Sequence, residues 1–339
     1  MQVYKDPDLR AYNSFGLSAR CKYLIDVHEA DEIPKAIEMA GHFGYPFMIL
    51  GGGSNVLFTN DYQGSIIRIC IAGIEANEDG DEVVLTAGAG VVWHELVQYA
   101  VAHNYGGIEN LALIPGTVGA SPIQNIGAYG VELQDVFESL TGYHLEQGFM
   151  RFNKNGCKFG YRQSIFKGEL KGKFVVSQVS LRLHKHHELK LKYGAIQDEL
   201  SRRKISTPTI ADVADVVSSI RQSKLPDPTT IGNAGSFFKN PELPEASFKR
   251  LQIDFPDLPG FPAAQTNYTK TSAAYMIEQC GWKGKVMGET GTYDKHALVL
   301  VNHGKATGSE IWSLAQEIQK SVYEKFGVKL EPEVNIIGS

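Results

Sequence analysis

Apolar residues recur along this chain with two periods, and the change from one to the other marks its elements. An apolar run over 22–27 predicts a strand, helical spacing over 31–42 a helix, and a run over 47–50 a second strand. That order reads as a βαβ unit whose second strand enters Gly51-Gly52-Gly53-Ser54-Asn55-Val56-Leu57-Phe58. A second α/β segment follows, with strands over 65–69 and 82–87 and a helix over 92–103 that Gly106-Gly107 is placed to cap. Residues 136–194 are richer in strands. The clearest alternates through Val175, Val179, Leu181 and Leu183 on one face and Gln178, Ser180 and Arg182 on the other.

Thr209-Ile210-Ala211-Asp212 has the form of a capping box, opening a helix with Val213, Val216, Val217 and Ile220 on one stripe. Pro226 and Pro228 end that helix and mark a domain boundary. Beyond it come a loop carrying Ser236, a helix near 271–280, a strand over 297–301 and a helix over 309–326. The last helix buries Ile311, Leu314, Ala315, Ile318, Val322 and Phe326. A short strand closes the chain near 330–337, with Glu331 and Glu333 at its entrance.

The chain's 339 residues exceed one ordinary core and predict two or three domains. With 43% hydrophobic and 21% charged residues the composition is that of a soluble globular protein. A net charge of −5 gives no general reason to bind nucleic acid or an anionic membrane. No apolar run reaches membrane-spanning length, and the first residues lack the apolar core of a signal peptide. The four cysteines (Cys21, Cys70, Cys157, Cys280) form no CxxC pair, so reduced thiols in a cytoplasmic protein are expected. His184, His186 and His187 could suggest a metal site, but alternation points His187 away from the other two, and a solvated surface is the expectation.

Three glycine-rich turns, at 51–55, 88–90 and 115–120, fall among the first 130 residues. Backbone N–H groups exposed by glycine can form the concavity that a diphosphate needs. No turn matches G-x-G-x-x-G or G-x-x-x-x-G-K-[ST], so neither a Rossmann domain nor a P-loop is supported. Each turn alone could be structural. Together, with Ser54, Asn55, Thr117, Gln124 and Asn125 interleaved, they point to a non-Rossmann diphosphate cofactor. Glycines beside Ser236 in 232–241 (GNAGSFFKNP) suit a site that positions a hydroxyl, although a tight turn with Ser236 bonding its own backbone fits the segment equally.

Six segments, in order over nearly the whole chain, resemble the UDP-N-acetylenolpyruvoylglucosamine reductase family of bacterial cell-wall synthesis. They are 49–58 (ILGGGSNVLF), 114–133 (IPGTVGASPIQNIGAYGVEL), 160–166 (GYRQSIF), 224–228 (KLPDP), 232–241 (GNAGSFFKNP) and 330–334 (LEPEV). The resemblance implies an α+β chain. Its FAD-binding fold of the vanillyl-alcohol-oxidase type would have two α/β subdomains, 1–70 and 71–225, the second joined by a C-terminal strand within 328–339. A C-terminal α+β substrate-binding domain would occupy 226–327. It also implies a cytoplasmic monomer with non-covalent FAD, NADPH as hydride donor and a nucleotide-sugar substrate, and no nucleic-acid or membrane partner. Residues placed by it at FAD are Gly51, Gly52, Gly53, Ser54, Asn55, Pro115, Gly116, Thr117, Gly119, Ala120, Gln124, Asn125 and Gly127, with the pyrophosphate-binding turn left open. The segments around Tyr161 and Tyr193 match the longer of the family's two forms, in which a tyrosine loop covers the substrate.

In the family's reaction NADPH reduces the flavin, which then gives hydride to an enolpyruvyl ether. The negative charge left beside the carboxylate must be stabilised and then quenched by a proton. By resemblance, Ser236 donates that proton, Arg162 contacts the carboxylate and Glu333 stabilises or orients the intermediate. Arginine's rigid fork suits a carboxylate, and a weakly acidic hydroxyl can serve because a carbanion-like centre is very basic. Substrate contacts carried over are Tyr161, Tyr193, Lys224, Asn240 and Lys283. At His296 some relatives have glutamine, a departure that still leaves a hydrogen-bonding group. Without the resemblance, Lys224 would be read as complementing its helix dipole and the tyrosines as half-buried strand residues; Glu331 and Glu333 would be solvated acids. Two other classes compete: a flavin oxidase of small alcohols, and a nucleotide-sugar binder without chemistry.

Overall fold

A computed structural model describes residues 1–263 and 265–338. They form two compact units, each assembled from separated stretches of chain. The first takes Met1–Pro7, Cys21–Gly52 and Gln63–Gln222; the second takes Asp8–Arg20, Gly53–Tyr62 and everything from Ser223 onward.

The first unit holds a four-stranded sheet in the order Gln2–Lys5, Cys21–Val27, Tyr62–Ile69, Phe47–Leu50. Phe47–Leu50 runs parallel to its neighbour Tyr62–Ile69, and helix Glu32–His42 carries the chain from Cys21–Val27 across to it. That helix buries Ile33, Ala36 and Ala40, the stripe its periodicity predicts. The second sheet has five antiparallel strands, Gly148–Asn153, Phe137–His144, Phe174–His184, Glu82–Gly88 and Ile74–Asp79 in spatial order. On Phe174–His184, Val179, Leu181 and Leu183 are fully buried and Gln178 is exposed, as alternation requires. Trp93 begins helix Trp93–Ala102 and is buried, its indole N–H donating to the Leu111 carbonyl.

One expectation is corrected. The helix predicted over 92–103 is stopped by Asn104, which takes the left-handed conformation at φ 57°. Gly106 instead exchanges backbone bonds with His184, where a side chain would strike His187.

The second unit is built on the antiparallel sheet Gly232–Ser236, Val299–Asn302, Thr290–Thr292, Val286–Met287. Helix Gly308–Phe326 covers it, burying Ile311, Leu314, Ala315, Ile318, Val322 and Phe326. Its N-terminus is a complete capping box between Thr307 and Glu310, and Gly327 ends it at φ 67°. A three-stranded sheet of short strands (Glu242–Pro244, Tyr268–Thr271, Gly260–Pro262) and helix Glu245–Asp254 complete the unit. Strand Asn335–Ile337 pairs in parallel with Val56–Phe58. Among the described residues, no helix is long and apolar enough to cross a membrane.

Candidate active site

In the first unit the glycine turns at 51–52 and 116–117 meet backbone to backbone. A Cβ on Gly51 would stand 2.6 Å from Thr117 Oγ1, and one on Gly52 would stand 3.3 Å from Gly116 Cα. Thr117 Oγ1 is buried and lacks a hydrogen-bond partner among the described residues. An unpaired buried hydroxyl costs about 1–3 kcal/mol unless a ligand satisfies it. A cradle lined by glycine backbone, with a hydroxyl left to donate, fits a diphosphate cofactor. Gly119 belongs to the same loop but is needed for packing, since a Cβ there would lie 2.5 Å from Ala89 Cβ. Gly53 and Asn55 belong to the second unit. There Gly53 passes so near Tyr12 that any side chain would collide with its carbonyl.

Gly160 and Gln163 exchange both backbone bonds, making a tight turn with Tyr161 and Arg162 at its tip. Arg162 is held at φ 52°, strained for a residue with a side chain. Its guanidinium lies 5.7 Å from the Tyr161 ring centre and donates to the Gly127 carbonyl at 2.7 Å. This turn docks on the hairpin of Gly127–Ala128 and Val131–Glu132. Buried Asn125 clips the two together, donating to the Gly160 carbonyl and to Glu132, while its own oxygen accepts from Gln134 N–H. Ser164 adds a bond to the Ile123 carbonyl, and Lys167 reaches Gln124. Asn125 and Tyr129 are also left-handed, at φ 45° and 50°, so strained backbone gathers in this one region.

Tyr129 meets Tyr193 edge-on, ring centres 5.2 Å apart. Burial and the neighbouring Tyr193 push the Tyr129 phenol up, against the pull of Arg221. Arg221 has a buried Nε without a hydrogen-bond partner, and no carboxylate pairs with it among the described residues. Burial lowers its guanidinium pKa, and the nearby positive charge of Arg162 lowers it further. The buried, unpaired Nε of Arg221, with the positive charge of Arg162 close by, gives this region a cationic character that suits an anion.

In the second unit, Ser236 stands at the end of strand Gly232–Ser236 just after a bulge. Asn233 Oδ1 accepts from Gly235 N–H, and Gly235 takes φ 68°, which permits the bulge. Phe237 and Phe238 follow, both buried, with ring centres 5.1 Å apart; they anchor the serine from the core side. Each contributes about 1.5–3 kcal/mol of burial. Phe237's carbonyl accepts from Glu333 N–H at 2.8 Å and Lys239 N–H donates to the Glu331 carbonyl, so the segment after Ser236 is bridged to the one carrying Glu333. Of the two acids, Glu331 is exposed and paired with Lys239 at 3.0 Å, whereas Glu333 is half-buried. Asn55 donates to the Glu333 carbonyl.

His296 is half-buried and accepts from Leu298 N–H through Nδ1. Burial holds its pKa below the ordinary value, and the charges of Lys224 and Lys283 lower it further, so these three sequence-predicted residues converge. Lys283 also pairs with Glu278 at 2.9 Å. Asn240 uses its side-chain oxygen to accept from Ala273 N–H, at the start of helix Ala273–Gln279. Among the described residues no group of three or more His, Cys, Asp or Glu is arranged to hold a metal ion. His186 pairs with Asp81 on the surface, but His187 turns inward against Glu109, which corrects the expectation of a solvated histidine cluster.

Over 340 residues the chain is 45% identical to UDP-N-acetylenolpyruvoylglucosamine reductase of Chromobacterium violaceum, with 99% of both chains covered. The chain belongs to the UDP-N-acetylenolpyruvoylglucosamine reductase family. A relative of that name from Pseudomonas aeruginosa is 43% identical over 338 residues, 99% of both chains. Residues 227–337 match the family described as the C-terminal domain of UDP-N-acetylenolpyruvoylglucosamine reductase, and residues 21–145 match an FAD binding domain. The crystal structure of UDP-N-acetylenolpyruvylglucosamine reductase from Thermus caldophilus superimposes with a TM-score of 0.70 at 23% identity, covering 99% of both chains. An FAD binding domain is thus followed by the C-terminal domain of this reductase family, in a chain of mixed helices and sheets. Neither Arg221 nor Tyr129 was a candidate from sequence. The only signal for Arg221 was a cation three residues before Lys224 on the same helix face.

Proposed function

We infer that this chain reduces UDP-N-acetylglucosamine enolpyruvate to UDP-N-acetylmuramate, with NADPH as hydride donor, in the synthesis of peptidoglycan precursors. When bound, FAD supplies hydride transfer between NADPH and the enolpyruvyl double bond. Gly51 and Gly52 with Gly116 and Thr117 hold its pyrophosphate, and Thr117 Oγ1 donates the bond that its burial leaves unmade. Gly53, Ser54, Asn55, Pro115, Gly119, Ala120, Gln124, Asn125 and Gly127 complete or support the cofactor site. Cofactor binding is assigned to segments within 1–225, and binding of the nucleotide-sugar chiefly to 226–327. The protein acts in the cytoplasm as a monomer.

Arg162 receives the substrate carboxylate on its fork, and Arg221 adds a second fixed positive charge. Both charges favour the enolate-like state, which carries more negative charge than the bound carboxylate, and stabilisation of that added charge raises rate. Ser236 Oγ gives its proton to the carbon beside the carboxylate, with Glu333 alongside to orient the intermediate. Lys224 and Lys283 take the substrate diphosphate. His296, kept neutral by burial and by those lysines, adds a hydrogen bond with no competing charge. Tyr161, Tyr193 and Asn240 contact the uridine or sugar.

The observation that carries this reading is the Gly235 bulge, which sets Ser236 beside the backbone bridge to Glu333. Ser236→Ala tests it. Bleaching of the bound flavin by NADPH is expected to persist, while reoxidation by the enolpyruvyl substrate slows by roughly 10²–10⁴-fold. Equal slowing of both half-reactions would remove Ser236 from the proton-donor role.

A further inference from the structure

The segment bearing Tyr193 leaves strand Phe174–His184 and crosses to helix Gly194–Arg202 without regular structure over residues 188–192. What fixes it is a pair of buried polar residues, Glu109 and Asn110, in the short 3-10 helix Glu109–Leu111. Asn110 is fully buried, and its single amide group donates twice: to the Lys190 carbonyl at 2.9 Å and to the Tyr129 carbonyl at 3.0 Å. It therefore joins the Tyr193 segment to the hairpin that carries Tyr129 and whose Gly127 carbonyl holds Arg162. Glu109 accepts from Gly107 N–H at 2.6 Å and lies 3.1 Å from His187 Nε2, with the ring turned off the ideal hydrogen-bonding line. Burial pushes the Glu109 carboxyl up, but His187 and the Gly107 N–H outweigh it and keep it ionised. Gly106 makes room for the His187 side chain, where any Cβ would lie 2.5 Å from its Cβ and 2.8 Å from its ring.

We propose that Glu109 and Asn110 are positioning residues for the nucleotide-sugar: they lock the 187–190 strap to the Tyr129 hairpin, and so set Tyr193 edge-on to Tyr129. This rests on the reading of Tyr193 as a substrate contact. A buried carboxylate and a buried amide are costly to desolvate, and neither is needed to fill a core. What their bonds achieve is registration of the irregular 187–190 strap against the short hairpin that carries Tyr129. Neither residue is assigned any contact with the cofactor or with the substrate.

The test is a double-mutant cycle between Asn110→Asp and Tyr193→Ala, following each half-reaction separately. Aspartate keeps the shape of Asn110 but cannot donate to two carbonyls. Asn110→Asp is expected to raise KM for the enolpyruvyl nucleotide-sugar by roughly tenfold or more, as losing two neutral hydrogen bonds implies, and to leave flavin bleaching by NADPH unchanged. The effect should largely vanish in the Tyr193→Ala background, because both changes act through one ring. Glu109→Gln, which keeps the shape but removes the charge facing His187, repeats the cycle should the aspartate variant not fold. An unchanged substrate KM, equal slowing of both half-reactions, or penalties that simply add would overturn the proposal. Tyr193→Ala alone with a wild-type substrate KM would instead overturn the assignment of Tyr193 itself, a separate failure visible without either positioning variant.

Discussion

At the scale of single residues, burial changes what individual charges and hydroxyls of the site can do. His296 illustrates the consequence. Its pKa is depressed from the ordinary 6.5, so between that value and the depressed one the unfolded chain binds more protons than the folded one. Stability is therefore complete above about 6.5 and falls as pH drops below it. His94, depressed by burial and then by Arg221, contributes in the same direction. His296→Gln is expected to flatten the decline of unfolding free energy on acidification, measured by denaturant titration at successive pH values; an unchanged slope would show that neither burial nor the lysines depress His296. The catalytic candidates were named from sequence because each lies in a segment that resembles the reductase family. Arg221 and Tyr129 could not. Arg221 looks like any cation on an amphipathic helix, and what distinguishes it, a buried Nε with no acid nearby, arises only from tertiary packing. Glu109 and Asn110 were hidden in the same way, as two polar residues in a stretch with no period.

At the scale of elements, local chemistry and tertiary contact sometimes give opposite answers. Helix Gly308–Phe326 was readable in full because its apolar stripe, its Thr307–Glu310 box and its closing Gly327 all agree. Thr307→Ala should cost about 0.5–2 kcal/mol, the usual range for a lost N-cap. By propensity alone, Gly308→Ala should stabilise the same helix by about 0.5–1 kcal/mol. The structure reverses that sign, because the added Cβ would stand 1.7 Å from the Phe58 carbonyl oxygen, and backbone cannot step aside. Gly308→Ala is thus expected to destabilise more than Thr307→Ala in thermal unfolding, and the opposite order would mean the two backbones part easily. Elements that escaped sequence reading were the short ones. Strands of three residues such as Glu242–Pro244 and Gly260–Pro262 hold too little alternation to register, and helix Glu245–Asp254 buries only Phe248. The cap of helix Trp93–Ala102 was misplaced for another reason: Asn104 took the left-handed turn that Gly106 could also have made.

At the scale of the whole molecule, the chain passes between its two units five times, at 7/8, 20/21, 52/53, 62/63 and 222/223. Apart from a strand within 328–339 joined to the second subdomain, sequence reading treated the segments as consecutive, since hydrophobic period reports which face is buried but not which distant stretch covers it. The second unit needs all three of its pieces: Phe15, Leu17 and Leu57 sit in one core with Phe237, Leu300 and Leu314. A fragment beginning at Ser223 is therefore expected to be a loosely packed chain that binds hydrophobic dye and lacks near-ultraviolet circular dichroism. Sharp cooperative unfolding of that fragment would show the unit complete without its N-terminal pieces. The same threading sets a schedule for synthesis. Asn302 donates to the Phe15 carbonyl across 287 residues of chain. At ribosomal speeds of about 5–20 residues per second, Phe15 and Leu17 wait roughly 10 to 60 s before the greater part of their core, from Phe237 to Asn302, is made. For that interval the nascent protein carries an uncovered apolar segment close to its N-terminus, and it is there that a holding chaperone has its longest opportunity to bind.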